Sequence, residues 1–276
     1  MTSPQAVACP PAGRLQHKVA LLVGAASGIG RATAAAYARE GARVVVADLR
    51  GESARVVAAD LVASGAIAEA FEVDVTDDAS VRQLVERVVE RFGRLDTLFN
   101  SVGGSLPDDA PATELDLSVW EQAMTLDLRG TLLTARHAIP AIIASGGGTV
   151  VNMSSGAALL GTGRAHAYAA AKGGVNALTR ALAGAHAKDN VRVNAICAGR
   201  INTERVRAAY GIPGGAIATA ASQRGDHFPA DQISSLYPFW TGEPDDIASI
   251  AVFLASTESR MITGSAIEAN GGRSAY

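Results

Sequence analysis

Residues 18–30 read KVALLVGAASGIG. Lys18–Val23 is an unbroken apolar run behind one lysine, the pattern of a strand buried on both faces. It ends directly in Gly24-Ala-Ala-Ser-Gly28-Ile-Gly30, and Gly28–Arg39 continues as an Ala-rich helical stretch. Glycines at such a junction let the backbone turn sharply and approach an anion closely. The helix start adds free N–H groups and a partial positive charge. A glycine triple means little by itself in a chain with 29 glycines. Its place between a strand and a helix is what points to a dinucleotide pyrophosphate, held by Gly24, Ser27, Gly28, Ile29 and Gly30.

Working outward, Arg43–Asp48 (RVVVAD) is a second strand, and Asp48 ends it 18 residues after Gly30. A carboxylate there accepts hydrogen bonds from both adenosine ribose hydroxyls and repels a 2′-phosphate. NAD is therefore expected over NADP, with Asp48 and Leu49 at the adenosine end. Two alternatives stay open: Arg50 swings toward a phosphate, or Asp48 only caps the next helix.

The same alternation runs down the chain. A helical stretch starts at Glu52, and Glu69–Asp74 is a third strand of weaker pattern. Ser80–Phe92 carries Val81, Leu84, Val85, Val88 and Val89 at the spacing of one helix face. Leu95–Asn100 is a fourth strand, followed by a long helical region over 117–145 that Pro140 is expected to bend. Thr149–Met153 is a fifth strand, Ala167–Ala187 a helix, Val191–Ile196 a sixth strand, Asp245–Ala255 a helix and Ala266–Ala269 a last short strand. Repeated βα units imply a parallel sheet with helices on both faces, a doubly wound, Rossmann-type α/β fold in one domain. Residues 1–15, rich in proline, read as a flexible arm, and 16–276 as a single NAD-binding catalytic domain. Residues 202–243 break the pattern, and a stretch that long in a compact domain reads as a substrate lid.

Composition narrows the function classes. The 276 residues are 48% hydrophobic and 18% charged, with a formal net charge of −3 and no basic block. A sizeable core is expected, and neither nucleic acid nor an anionic membrane surface is expected as a partner. Cys9 and Cys197 are the only cysteines and the five histidines are scattered, so no metal site and no disulfide framework is expected. No apolar run reaches a membrane span and no secretory signal opens the sequence, which together with the low cysteine count points to the cytoplasm.

Tyr168 and Lys172 stand four apart in a helical stretch and so share one face. An ammonium beside a phenol favours the phenolate and suits the tyrosine to general acid/base work. Ser155 lies 13 residues earlier, at the end of strand five, where its hydroxyl can hold a substrate oxygen.

Taken in order, Gly24–Gly30, Asp74-Val75, Asn100-Ser-Val-Gly103, Ser155, Tyr168-Ala-Ala-Ala-Lys172, Asn194-Ala-Ile-Cys-Ala-Gly199 and Asn270-Gly-Gly272 resemble the signature of the short-chain dehydrogenase/reductase family, over about residues 16–272. The resemblance implies that Tyr168 is the acid/base, that Lys172 binds the nicotinamide ribose and tunes Tyr168, and that Ser155 polarises the carbonyl. It places Asp74 and Val75 beside the adenine and Asn100 and Gly103 on the adenosine side. It places Gly199, Ile201 and Thr203 at the nicotinamide, and it implies a homotetramer. Asp127 departs from the family's usual asparagine, so it is expected either to pair with Lys172, directly or through water, or to bond backbone as a structural asparagine would. Ser101 and Val102 depart from the usual Asn-Ala, and Ala198 from a common proline.

The lid's Tyr210, His227, Phe228, Tyr237, Phe239 and Trp240 suggest an apolar or cyclic substrate, or else packing of the lid itself. Ser105 and Leu160 are further substrate-facing candidates. Arg164 and Arg200 fit either a substrate carboxylate or the surface. The expected activity is hydride transfer between NAD(H) and a ketone or secondary alcohol. Two alternatives remain: an epimerase or dehydratase that keeps its NAD bound, and a protein that binds NAD as a sensor or structural element without turnover. The intact Ser155, Tyr168 and Lys172 speak against the latter.

Overall fold

The computed structural model describes residues 13–210 and 241–272, the side chains of 209 and 210 excepted. Seven parallel strands form the sheet in the order β3-β2-β1-β4-β5-β6-β9. They are β1 (Val19–Val23), β2 (Arg43–Asp48), β3 (Ala68–Glu72), β4 (Thr97–Asn100), β5 (Gly148–Ser155), β6 (Val191–Ala198) and β9 (Ala266–Ala269). The expected doubly wound fold is what forms. The strand order reverses between β1 and β4, and in open α/β sheets a ligand crevice lies outside the carboxyl ends of the strands at such a point.

β1 explains why the opening stretch lacks a polar face. Ala20 and Leu22 join a core layer with α1 (Gly28–Arg39), α2 (Gly51–Ala63) and α8 (Pro244–Ala255). Val19, Leu21 and Val23 join a second layer on the other side with α3 (Asp78–Phe92) and α5 (Gly130–Ala144). Both faces are dry, so alternation would bury polar groups at a cost. Fully burying Leu22, which is 0% exposed, contributes about 2 kcal/mol.

Among the departures from expectation, three bear on the site. The third strand stops at Glu72, two residues before Asp74. The Asp74 carboxylate accepts from Thr76 N at 2.8 Å and from Thr76 Oγ1 at 2.7 Å, an Asx turn that carries the chain off the sheet. The long helical region is interrupted not at Pro140, which lies within α5, but between α4 (Leu117–Ala123) and α5. There Met124–Arg129 forms a π-helical segment. The Thr131 hydroxyl donates to the Asp127 carbonyl in it, at 2.7 Å. Finally, part of the stretch over 202–243 is regular. Thr203 Oγ1 accepts from Val206 N at 3.2 Å at the start of α7 (Glu204–Tyr210). β8 (Thr241–Gly242) pairs in parallel with β7 (Arg200–Ile201). The rest of that stretch lies outside the described residues, and with it His227, Phe228, Tyr237, Phe239, Trp240 and the side chain of Tyr210.

Of residues 1–15, residues 1–12 lie outside the described residues. Leu15 is buried in the first core layer, and its N–H donates to Glu40 O at 3.0 Å. No helix among the described residues is long and apolar enough to cross a membrane, and no cluster of metal-ligating side chains occurs among them.

Candidate active site

The crevice at the β1/β4 switch point is about 560 Å³ and is lined by Gly24, Ser27, Asp48, Leu49, Asp74, Val75 and Gly103, with Arg50, Val102, Glu204 and Arg205 among their neighbours. Seven residues singled out for the cofactor thus share one cavity. Gly24 has φ +74°, and a side chain there would strike the Ser101 carbonyl. The turn therefore needs glycine both for its angle and for the close approach of the β4 loop. The loop is also tied to β2: Ala26 N donates to Asp48 Oδ2 at 3.0 Å.

Gly28, Ile29 and Gly30 form the first turn of α1 behind Ser27. Ser27 makes no side-chain cap to that turn; its Oγ accepts instead from Arg50 Nη2 at 2.9 Å. The first N–H groups of α1 are left for an anion, so the donor set fits a pyrophosphate. Asp48 does not act as the side-chain cap of α2. Its Oδ1 accepts from Arg50 N at 3.0 Å and from Arg50 Nε at 3.3 Å. Arg50 therefore lies against the crevice wall, held by Asp48 and Ser27.

Thr203 reaches the glycine loop from the other side, since a side chain on Gly28 would meet Thr203 Cγ2 at 3.1 Å. Ile201 is buried in β7 and Gly199 follows β6, its N–H donating to Ala269 O at 2.9 Å. Asn100 stands at the end of β4, buried outside the crevice lining, and its Nδ2 donates to Asn152 Oδ1 at 2.9 Å.

The second group gathers where α6 (His166–His186) crosses the end of β5. Ser155 ends β5, and its Oγ accepts from Ala157 N at 3.1 Å. Tyr168 is half-buried in the first turn of α6, with Lys172 Nζ 5.8 Å from its ring centre. Lys172 is 2% exposed. Its ammonium donates to Val102 O at 3.0 Å and to Met153 O at 3.1 Å, and it forms an ion pair with Asp127 Oδ1 at 3.0 Å. Two of its three N–H groups thus go to backbone carbonyls. Val102 also lines the crevice, and so joins the two groups of residues.

Asp127 is 0% exposed, and the π-helical segment presents it to Lys172. Its Oδ1 also accepts from Gly104 N at 2.9 Å, while its Oδ2 is buried without a hydrogen-bond partner among the described residues. Gly103, φ +97°, has no room for a side chain because the Asp127 carboxylate occupies that space. The direct pairing with Lys172 thus forms, together with a backbone bond. An anion 3.0 Å from the ammonium partly cancels the field that Lys172 exerts at Tyr168.

Other candidates fall elsewhere. Ser105 is exposed and Leu160 half-buried, and neither lines the crevice. Arg164 is exposed, whereas Arg200 is buried in β7. Two side chains not singled out in the sequence are prominent here. Arg205, on α7, donates to Gly103 O at 2.7 Å and to Ser105 O at 2.8 Å, clasping α7 to the β4 loop. Asp109, buried in the loop between β4 and α4, holds the backbone of Ala167 and Tyr168. Their partners lie far away in sequence, and no local motif marks them.

A family model described as enoyl-(acyl carrier protein) reductase matches residues 24–274. D-threitol dehydrogenase of Mycolicibacterium smegmatis is 38% identical over 262 residues, covering 94% of this chain and 94% of its own length. Cis-4-hydroxycyclohexanecarboxylate dehydrogenase of Sinomonas cyclohexanicum is 36% identical over 259 residues, covering 94% of this chain and 97% of its own. The crystal structure of a short-chain dehydrogenase/reductase from Burkholderia xenovorans superimposes with a TM-score of 0.84 at 35% identity, covering 96% of this chain and 99% of that one.

Proposed function

The chain belongs to the short-chain dehydrogenase/reductase family, and from that premise we propose that it is an NAD-dependent enzyme that interconverts a secondary alcohol and its ketone, with an apolar or cyclic substrate. The observation that carries this reading is the cluster in which buried Lys172 stands 5.8 Å from the ring of half-buried Tyr168 and 3.0 Å from buried Asp127, beside the Ser155 end of β5.

The bound nicotinamide supplies the hydride acceptor or donor. The Ser155 hydroxyl hydrogen-bonds the substrate oxygen. The Tyr168 phenolic oxygen takes the hydroxyl proton in oxidation and returns it in reduction. Lys172 stabilises the phenolate through its charge and is itself held by Asp127, Val102 and Met153. The carbinol oxygen carries negative charge only in passing, and the Ser155 and Tyr168 hydroxyls meet it there.

Asp48 at the end of β2 supports NAD over NADP, since a carboxylate repels a 2′-phosphate. The roles of Gly199, Ile201 and Thr203 at the nicotinamide, and of Asp74 and Val75 at the adenine, follow the family pattern in this reading, as do a single catalytic domain, a homotetramer and a cytoplasmic location. A ring substrate is supported by the relative that acts on cis-4-hydroxycyclohexanecarboxylate and by the aromatic residues between 210 and 240.

The test follows NADH absorbance with NAD and a panel of secondary alcohols, from open-chain to cyclic. The expected outcome is NADH formation that Tyr168→Phe lowers roughly 10²- to 10⁴-fold, with ring alcohols preferred. Absence of Tyr168-dependent NADH formation across the panel overturns the reading.

A further inference from the structure

The helix that carries Tyr168 and Lys172 has no cap of its own. α6 follows Ala165, which sits in the left-handed region at φ +60° and makes no side-chain cap. The first N–H groups of a helix have no acceptor within it, and buried ones need an acceptor from outside. One comes from 58 residues away. Asp109 Oδ1 accepts from Ala167 N at 3.0 Å and Asp109 Oδ2 from Tyr168 N at 2.8 Å. Asp109 is 4% exposed and Ala167 fully buried.

We propose that Asp109 is a positioning residue for the hydride-transfer reaction: its carboxylate, reaching from the β4–α4 loop, fixes the first turn of α6 and so sets where the Tyr168 phenol stands. The proposal rests on Tyr168 being the acid/base. A carboxylate suits the task because two N–H donors need two acceptor oxygens, and an amide offers one. Its charge also complements the helix dipole.

The same loop holds the residue before these two. His166 N donates to Ala110 O at 3.4 Å, and His166 Nδ1 lies 2.9 Å from Ala112 N. Accepting at Nδ1 leaves the proton on Nε2, which lies 3.1 Å from Thr162 O. Three consecutive residues at the start of the catalytic helix are therefore tied to the loop over 109–112. The far end of that loop offers a comparison: Asp116 caps α4 at Ser118 N, 2.8 Å, and is exposed. It is a cap of similar chemistry with no tie to Tyr168.

The experiment compares Asp109→Ala, Asp109→Asn and the control Asp116→Ala by kcat, KM, pH–rate profile, thermal melting and amide hydrogen exchange of the peptide that begins α6. Asp109→Ala is expected to lower kcat roughly 10- to 100-fold, the scale of a small misplacement of a reacting group. KM for NAD should change little, and exchange at Ala167 and Tyr168 should speed up. Asp109→Asn, keeping one acceptor, falls in between, and Asp116→Ala keeps the kcat of the wild type. A loss of activity that only tracks the fraction of folded protein, with kcat per folded site and pH profile unchanged, overturns the proposal. If Asp109→Ala does not fold, Asp109→Asn decides: wild-type kcat and wild-type exchange together count against positioning. If the wild type turns over no alcohol, the functional reading fails by itself. The exchange measurement still stands alone, and unchanged protection of Ala167 and Tyr168 in the variants removes the clamp.

Discussion

The β1–α1 corner and the start of α6 are linked through Val102, which lines the crevice and accepts from Lys172, and they are assembled in opposite ways. At the corner, Gly24, Ser27, Gly28 and Gly30 fall within a single run of the chain, and the nearest long tie, Ala26 to Asp48, spans 22 residues. At the start of α6, Tyr168 is held by Asp109 across 59 residues and Lys172 by Val102 across 70. The glycine loop lies in one run of the chain between β1 and α1, and its outside ties are few: Asp48 of β2, the loop after β4 and Thr203. The proton-handling site exists only when β4, β5, the π-helical segment and α6 have all packed. Damage to the second should therefore cost stability and activity together, whereas damage to the first should alter cofactor choice at a smaller cost in stability.

Asp127 breaks or sustains that contrast most directly. Asp127→Ala leaves the buried Lys172 ammonium without its counter-ion, an expected loss of about 3 kcal/mol in chemical unfolding, accompanied by a fall in kcat. Asp127→Asn keeps the shape and removes the charge. Lys172 then acts on Tyr168 uncancelled, so the acidic limb of the kcat profile for alcohol oxidation, where the phenolate is lost, should move to lower pH. Superimposable pH–rate profiles for wild type and Asp127→Asn contradict the special place of the carboxylate.

Asp48 is the local counterpart. Asp48→Ala frees Arg50 and removes a carboxylate from the crevice, so the ratio of kcat/KM for NAD over NADP should fall roughly tenfold, worth about 1.4 kcal/mol. The unfolding transition should move less than in Asp127→Ala. An unchanged ratio removes Asp48 from the account of cofactor choice.

The smallest effect lies at the opposite end of the sheet. Asp96, just before β4, is buried, which opposes its charge. Arg94 at 2.6 Å, Val19 N at 2.9 Å and Lys18 at 3.3 Å outweigh that and hold its carboxyl below the usual range. The stability this contributes is complete above the unfolded carboxyl's value near ~4 and is lost as pH falls through the lower folded value. Arg94 and Lys18 are both 44% exposed, so solvent screening keeps the contribution to about 1 kcal/mol. Asp96→Asn should lower unfolding stability by that amount at neutral pH, and the difference should shrink below about pH 4. A difference independent of pH counters the assignment.

Legibility in the sequence follows the same division. The strand–Gly loop–helix corner, the sheet and its two-sided core were readable because apolar runs and glycines lie side by side along the chain. Tyr168, Lys172 and Ser155 were readable as residues from their spacing and family resemblance. Asp127 stood out only as a departure from that pattern. What could not be read was the set of ties that holds them. Asp109 is one of two adjacent aspartates in a loop, and Arg205 one of several arginines near the lid. Each acquires meaning from backbone carbonyls or N–H groups that carry no side-chain signal. The π-helical segment was hidden for a related reason, since its six residues keep a helical composition while their register shifts, and the break was expected at Pro140. α7 was missed because seven residues are too short to show a period.

The central claim is hydride transfer from a carbinol carbon, with Tyr168 moving the proton. Its most direct test uses the secondary alcohol that the enzyme prefers, deuterated at the carbinol carbon, with NAD, and reads the NADH formed by mass spectrometry in wild type and Tyr168→Phe. The account predicts one deuterium in the NADH nicotinamide ring, with a rate that collapses in the variant. NADH without deuterium, or equal rates in the two proteins, contradicts it.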